Sequence, residues 1–340
     1  MRAYTHTKLF LAAAGAAVAF GPLPAAAAEM FTATAVPSIR AVAPPPAGFD
    51  AVHASDAALA ALALPPRPDA IANPAVYAKW VRAMSVRAKR SDATLQMTNI
   101  FHGPARQQGR DSRVANTATS SNWSGIVNTN TLTSYNARKS FYFLVSDYVI
   151  PAVSNATCDG TWDYSSQWAG IDGWNSGDVL QAGTEADAYC SGSTTSTFYS
   201  AWIEWYPYSE SRISGFPVAA GDDMYVEVWN TSSTVGFAYM INLNTGQDVE
   251  FELTPPSGTT LVGNSAEWVV ERPGVSGGLA TLSDYALDYF SGAQAQNFAR
   301  NVFLPGNKTS SFPVDMLDNN GNPASDVTLL GSSSMEFSYQ

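Results

Sequence analysis

From Ser121 to the C-terminus the chain reads as short apolar-rich runs separated by turns of Gly, Asn, Ser and Pro. The runs fall at 140–150, 167–171, 179–182, 198–206, 224–229, 236–243, 248–253, 266–270, 327–329 and 335–339. Apolar and polar residues alternate in several of them, which is the period of a half-buried strand. Asn244-Thr245-Gly246 reads as a hairpin turn with Gly at a left-handed position. No long amphipathic helix interrupts this part, and no repeat stands out. The pattern predicts an all-β fold, a β-sandwich or jelly roll formed as one domain.

Alternation also sorts the side chains. In Ser265-Ala266-Glu267-Trp268-Val269-Val270-Glu271, the apolar Ala266, Trp268 and Val270 share one face, and Glu267 points to the other with Ser265. Trp168, Gly170 and Asp172 share a face, as do Gln181, Gly183 and Glu185, and Trp202, Glu204 and Tyr206. If these faces line the concave side of one sheet, they form a cleft suited to an extended chain, either a polypeptide or a sugar polymer.

The first third of the sequence has a different texture. Arg2 and Lys8 precede an apolar run from Leu9 to Phe20, and Ala25 to Ala28 supply small residues for cleavage, so 1–28 reads as a secretory signal peptide. No other run is long enough to span a bilayer. Pro-rich stretches at 44–46 and 65–68 argue for extended or turn structure. A helix is expected over 74–90, with Pro74 at its first position and Val76, Trp80, Met84 and Arg87 near one face. Residues 91–120 carry little pattern.

Charge then separates the two parts. Residues 1–114 hold 12 Lys and Arg against 6 Asp and Glu, whereas 115–340 hold 6 against 23. A basic segment joined to a strongly acidic domain is held against it, so 29–115 is expected to be a propeptide and 116–340 the functional domain. Cys158 and Cys190 are the only cysteines. In an exported chain they are expected to pair, the alternative being two buried thiols.

Much chemistry is excluded. The histidines are His6, His53 and His102, so no imidazole follows residue 102 for a Ser-His or Cys-His mechanism. The same lack argues against a zinc site of the usual kind. Gly274-Val275-Ser276-Gly277-Gly278 fits a nucleophile elbow only literally and reads as a turn. There is no phosphate-binding loop, no basic face for nucleic acid, and no Asp-Thr-Gly or Asp-Ser-Gly motif. Carboxylate and amide chemistry without a cofactor remains.

Five motifs make the sequence recognisable: Ser121-Asn122-Trp123-Ser124-Gly125, Trp168-Ala169-Gly170-Ile171-Asp172-Gly173, Leu180-Gln181-Ala182-Gly183, Trp202-Ile203-Glu204-Trp205-Tyr206-Pro207 and Asn264-Ser265-Ala266-Glu267-Trp268. In order and approximate spacing they resemble the glutamic peptidases, or eqolisins, secreted acid peptidases best known from fungi. The resemblance implies a concanavalin-like β-sandwich of two antiparallel sheets and a catalytic pair at Gln181 and Glu267. Glu185, Trp268 and Arg272 depart from the fungal pattern, as do the cysteine positions.

In that reading Glu267 is the general base toward water and Gln181 donates to the oxyanion. Trp168, Asp172, Glu185, Trp202, Glu204 and Tyr206 are supporting or substrate-binding candidates, with sandwich packing as the competing role. Asn122 and Trp123 are expected to pack. The partners expected are polypeptide substrates and the chain's own propeptide, acting as an intramolecular inhibitor on a secreted monomer that needs neither membrane nor nucleic acid. Two other readings stay open: a jelly-roll glycoside hydrolase using Glu204 and Glu267, and a non-catalytic carbohydrate-binding module.

Overall fold

The predicted alternation is realised as a long antiparallel ladder folded back on itself. The computed structural model describes residues 30–85, 89–110 and 116–340. The expected signal peptide and Arg87 therefore lie outside the described residues. From Trp123 onward the principal strands are β1 (Trp123–Thr129), β2 (Phe141–Val149), β3 (Ser166–Ile171), β4 (Val179–Ser191), β5 (Thr194–Tyr206), β6 (Ser211–Ser214) and β7 (Asp223–Ser232). They continue as β8 (Val235–Asn242), β9 (Gln247–Leu253), β10 (Ser265–Glu271), β11 (Leu287–Asn297), β12 (Ser311–Leu317), β13 (Pro323–Leu329) and β14 (Met335–Tyr339).

The front layer runs β6–β5–β4–β3–β10–β1–β12. β13 and β14 carry the ladder round to the back layer, β11–β2–β7–β8–β9. The two layers enclose the main core. Ala169, Leu180, Ile203, Trp268 and Val270 come from the front, and Leu144, Val226, Met240 and Phe251 from the back. The inward alternation of β10 read from the sequence is thus correct. Trp268 crosses the core, and its indole N–H donates to the Val145 carbonyl at 2.8 Å. Gly246, at φ +72°, forms the expected β8–β9 turn.

The N-terminal region is folded onto both layers. Helices α1 (Asp56–Ala61) and α2 (Pro74–Ser85) cover the outer face of the back layer. Ser55 caps α1, its hydroxyl accepting from the Ala58 N–H. α2 buries Val76, Trp80 and Ala83. Lys89–Arg90, expected to be the helix's end, instead pairs in parallel with Gln247 and Asp248. Residues 91–120, which show little pattern, contain strands that take their partners from the domain. Thr94–Met97 extends the front layer beside β6, and Ile39–Val42 extends the back layer beside β9. Both open edges are therefore covered, which satisfies backbone groups that a bare edge leaves unpaired.

The charge split is also visible in space. Arg40 meets Glu252 at 2.5 Å, Arg82 meets Asp223 at 2.8 Å, and Arg90 meets Glu250 at 2.9 Å and Asp248 at 3.2 Å. Lys79 pairs with Asp147. Cys158 and Cys190 are disulfide-bonded, tying the chain ahead of β3 to the far end of β4.

Candidate active site

Strand register arranges the candidate residues as a grid on the outer face of the front layer. Glu204, Gln181, Gly170 and Glu267 lie side by side across β5, β4, β3 and β10. The next row holds Trp202, Gly183, Trp168 and Val269, and a third holds Ser200, Glu185, Ser166 and Glu271. Gln181 and Glu267 are two strands apart, roughly 10 Å at the backbone for about 4.8 Å per strand. The residue between them is Gly170. A Cβ there would come within 3.0 Å of the Gln181 Cβ and 2.9 Å of the Trp168 ring. The missing side chain opens the space between amide and carboxylate.

That space is crossed by residues 98–106, a strap from the N-terminal region. Its backbone is bonded at several points: the Thr98 N–H to the Glu210 carbonyl at 3.0 Å, the Ile100 carbonyl from the Glu210 N–H at 2.9 Å, and the Ala105 N–H to the Gly173 carbonyl at 3.1 Å. The His102 N–H donates to the Glu204 carboxylate at 3.2 Å. Trp123 Nε1 donates to the Gly103 carbonyl at 3.1 Å, and Asn122 Oδ1 accepts from the Arg106 N–H at 2.7 Å. Gln181 Nε2 donates to the main-chain carbonyl of His102. A peptide carbonyl thus rests on Gln181, in the row that ends at Glu267.

The His102 side chain fills the pocket made by the third row. Its Nε2 lies 2.9 Å from Glu185 and 3.5 Å from Glu210, and its Nδ1 lies 3.5 Å from Glu271. The imidazole stacks on Trp202 with ring centres 3.8 Å apart, a favourable arrangement for a cation over an indole face. Burial opposes a charge on His102, but Glu185, Glu210 and Glu271 outweigh it and raise its pKa well above the usual 6.5. The sequence left this domain without an imidazole; the strap supplies one. His102, Glu185 and Glu210 could also present ligand atoms to a metal ion, yet the direct 2.9 Å contact is that of an ion pair.

The remaining candidates divide between cleft and frame. Trp168 Nε1 donates to Glu271 at 2.9 Å, and Trp202 Nε1 to Ser166 Oγ at 3.0 Å. Tyr206 lies against Gly103. Asp172 is outside the cleft and fully buried. Its carboxylate accepts from the N–H groups of Val262, Gly263 and Asn264 at 2.7–2.9 Å, fixing the loop that leads into β10. Burial raises its pKa to about 6 against those bonds. Glu267 is buried, and neither oxygen has a hydrogen-bond partner among the described residues. Burial pushes its pKa well up, and the charge of Asp172 adds to the rise. Burial likewise raises Glu204, Glu210 and Glu271, with the His102 side pulling back on each.

The profile of the peptidase A4 family matches residues 121–339 of this sequence. The chain belongs to that family. Among curated relatives, Aspergillopepsin-2 of Aspergillus niger is 34% identical over 132 residues, 38% of this chain and 45% of its own length. Scytalidopepsin B of Scytalidium lignicola is 36% identical over 107 residues, 31% of this chain and 38% of its own. The chain thus spans less than half the length of these relatives. A crystal structure of scytalido-glutamic peptidase with a transition-state analogue superposes with a TM-score of 0.54, at 24% identity, over 65% of this chain and 98% of that one. The likeness bears out the all-β sandwich expected from sequence.

Three kinds of residue escaped the sequence reading. His102 stood outside the domain boundary. Glu210 sits in the β5–β6 connection, where no alternation assigns a face. Asn122 and Trp123, expected only to pack, also hold strap carbonyls and N–H groups. Their place in the first family motif was the available signal.

Proposed function

We propose that this chain is the secreted precursor of a glutamic endopeptidase that works in acid. Glu267, ionised, takes a proton from the attacking water and later returns it to the leaving amine. Gln181 donates its amide hydrogen to the oxyanion, and because an amide does not titrate it does so at low pH as well. A carboxylate with a reference pKa of about 4.3 is still partly ionised where an imidazole would be fully cationic.

The observation that carries this reading is the hydrogen bond from Gln181 to the His102 carbonyl. It makes the His102–Gly103 bond a stand-in for a scissile peptide, its carbonyl resting on the donor. The strap inhibits by occupying that position. Burial also raises the pKa of Glu267, which favours its protonated form. Residues 29–115 are then the propeptide, severed by a cut between 106 and 121.

The rival sugar hydrolase needs Glu204 and Glu267 as its pair. Gln181 and Gly170 stand between them in the row, and Glu204 receives the strap's N–H, as it would a peptide's. The test is cleavage of an acid-denatured protein near pH 4 with pepstatin present. Gln181→Ala is expected to lower kcat by about 10²–10³, and Glu267→Ala to abolish turnover. Activity surviving Glu267→Ala would remove that residue from the mechanism.

A further inference from the structure

The outer face of the back layer has the wrong chemistry for a surface. An antiparallel sheet with one face in a core ordinarily turns polar residues to the other. Here Phe143, Tyr225, Trp229, Phe237, Tyr239 and Ile241 point outward, and all are buried. Their cover is the N-terminal region: Leu59 of α1 and Val76 and Trp80 of α2 are each at most 1% exposed. Monomeric proteins rarely expose contiguous apolar patches larger than a few hundred Å², so a domain stripped of 30–85 would carry an unusual surface.

The two contacts of the N-terminal region differ in kind. The strap is held at the front by main-chain bonds and by His102 among Glu185, Glu210 and Glu271. The helical part is held at the back by aromatic and aliphatic packing, rimmed by ion pairs of Arg40 with Glu252, Lys79 with Asp147, Arg82 with Asp223, and Arg90 with Asp248 and Glu250. Burial raises the pKa of Glu210 and Glu271 at the front and of Asp147, Asp248 and Glu250 at the back, so acid neutralises carboxylates in both sets. Protonation leaves apolar burial untouched, because that driving force depends on area removed from water.

We propose that residues 30–85 remain docked on the back layer after the chain is cut between 106 and 121. The acid-processed protein is then a two-chain complex, in which the strap has left the cleft and the helical module persists as a subunit. The inference rests on reading 29–115 as a removable segment, but its test does not require the protein to cut itself. The outcome also separates two tasks within one segment. His102 governs occupancy of the cleft, and Trp80 governs attachment.

A site-specific protease sequence is placed at 111–115 in the Glu267→Gln full chain, which is cut at neutral pH and run on a sizing column at about pH 3.5. The N-terminal fragment is expected to co-elute with the domain in equal amounts. His102→Ala should leave that retention unchanged, whereas Trp80→Ala should weaken it by at least about tenfold. Separation of the otherwise unaltered fragment from the domain at this pH overturns the proposal. So does retention that depends on His102 and ignores Trp80. If Trp80→Ala does not fold, the elution of the parent cut protein decides the matter alone. A failure of self-cleavage in the wild type would count against the peptidase reading and leave this result standing.

Discussion

His102 concentrates the chemistry of the proposed precursor in one side chain. Burial alone would strip its charge, and the three surrounding glutamates restore it. As pH falls the imidazolium keeps its proton, so the contact must fail from the carboxylate side. Glu210 and Glu271 have pKa values raised above 4.5 by burial, which His102 opposes. They therefore take up protons at a higher pH than an ordinary carboxylate does, and the attraction fades early in acidification. His102→Ala removes the cation from the start. The variant precursor is expected to convert to its processed form at a higher pH than the wild type, by about one unit or more. Gel analysis of conversion across the pH range checks this. Identical midpoints would show that the imidazole plays no part in holding the strap.

At the scale of elements, the tie between the end of β3 and the start of β10 sets where Glu267 stands. Asp172 makes that tie with three main-chain N–H acceptances. Asp172→Ala leaves two buried donors and the half-buried Val262 N–H without their partner. Each unsatisfied buried group costs about 1–3 kcal/mol, so a loss of at least about 2 kcal/mol in unfolding free energy is expected. Glu267 should shift with the loop, lowering kcat more than it raises KM. Denaturant unfolding and steady-state kinetics on one preparation test both, and a variant of unchanged stability would refute the tie. The elements carrying the site were legible because they alternate: in β10 every second residue from Ala266 enters the core. β1 was hidden from that reading because Trp123 to Asn128 are buried on both faces, which erases the period. β11 was hidden by its polar run Gln294-Ala295-Gln296-Asn297. The strands at 39–42 and 94–97 have little local pattern because their pairing comes from exposed edges of the domain. The Gln181 and Glu267 positions were legible from motif and face together. The imidazole in the pocket was not, since only the fold brings residue 102 to residue 185.

Across the whole molecule, buried carboxylates set how stability varies with pH. Burial raises Asp172 to about 6, Asp178 to about 7 and Asp288 to about 8, all from 3.8. For Asp178 the charge of Asp172 adds to the rise. A folded-state pKa above the unfolded value means that the native protein holds protons the unfolded chain has lost. Stability from these groups is then fully present below about pH 4, where both states are protonated, and declines as pH climbs through 6 to 8. The surplus of 23 acidic over 6 basic residues in 115–340 acts in the same direction, through repulsion at neutral pH. Most proteins are instead most stable between about pH 5 and 8. A single tenfold difference in proton affinity is worth about 1.4 kcal/mol, which moves Tm by about 3–6 °C in a domain of this size. The Gln181→Ala protein, used to prevent self-digestion, should therefore show a Tm near pH 4 that exceeds its Tm near pH 8 by several degrees. Asp288→Asn should flatten that slope, because the neutral amide has no proton to lose. A Tm that rises toward pH 8 would mean that these carboxylates are ionised in the folded protein, and the link between buried acids and an acid working range would fail with it.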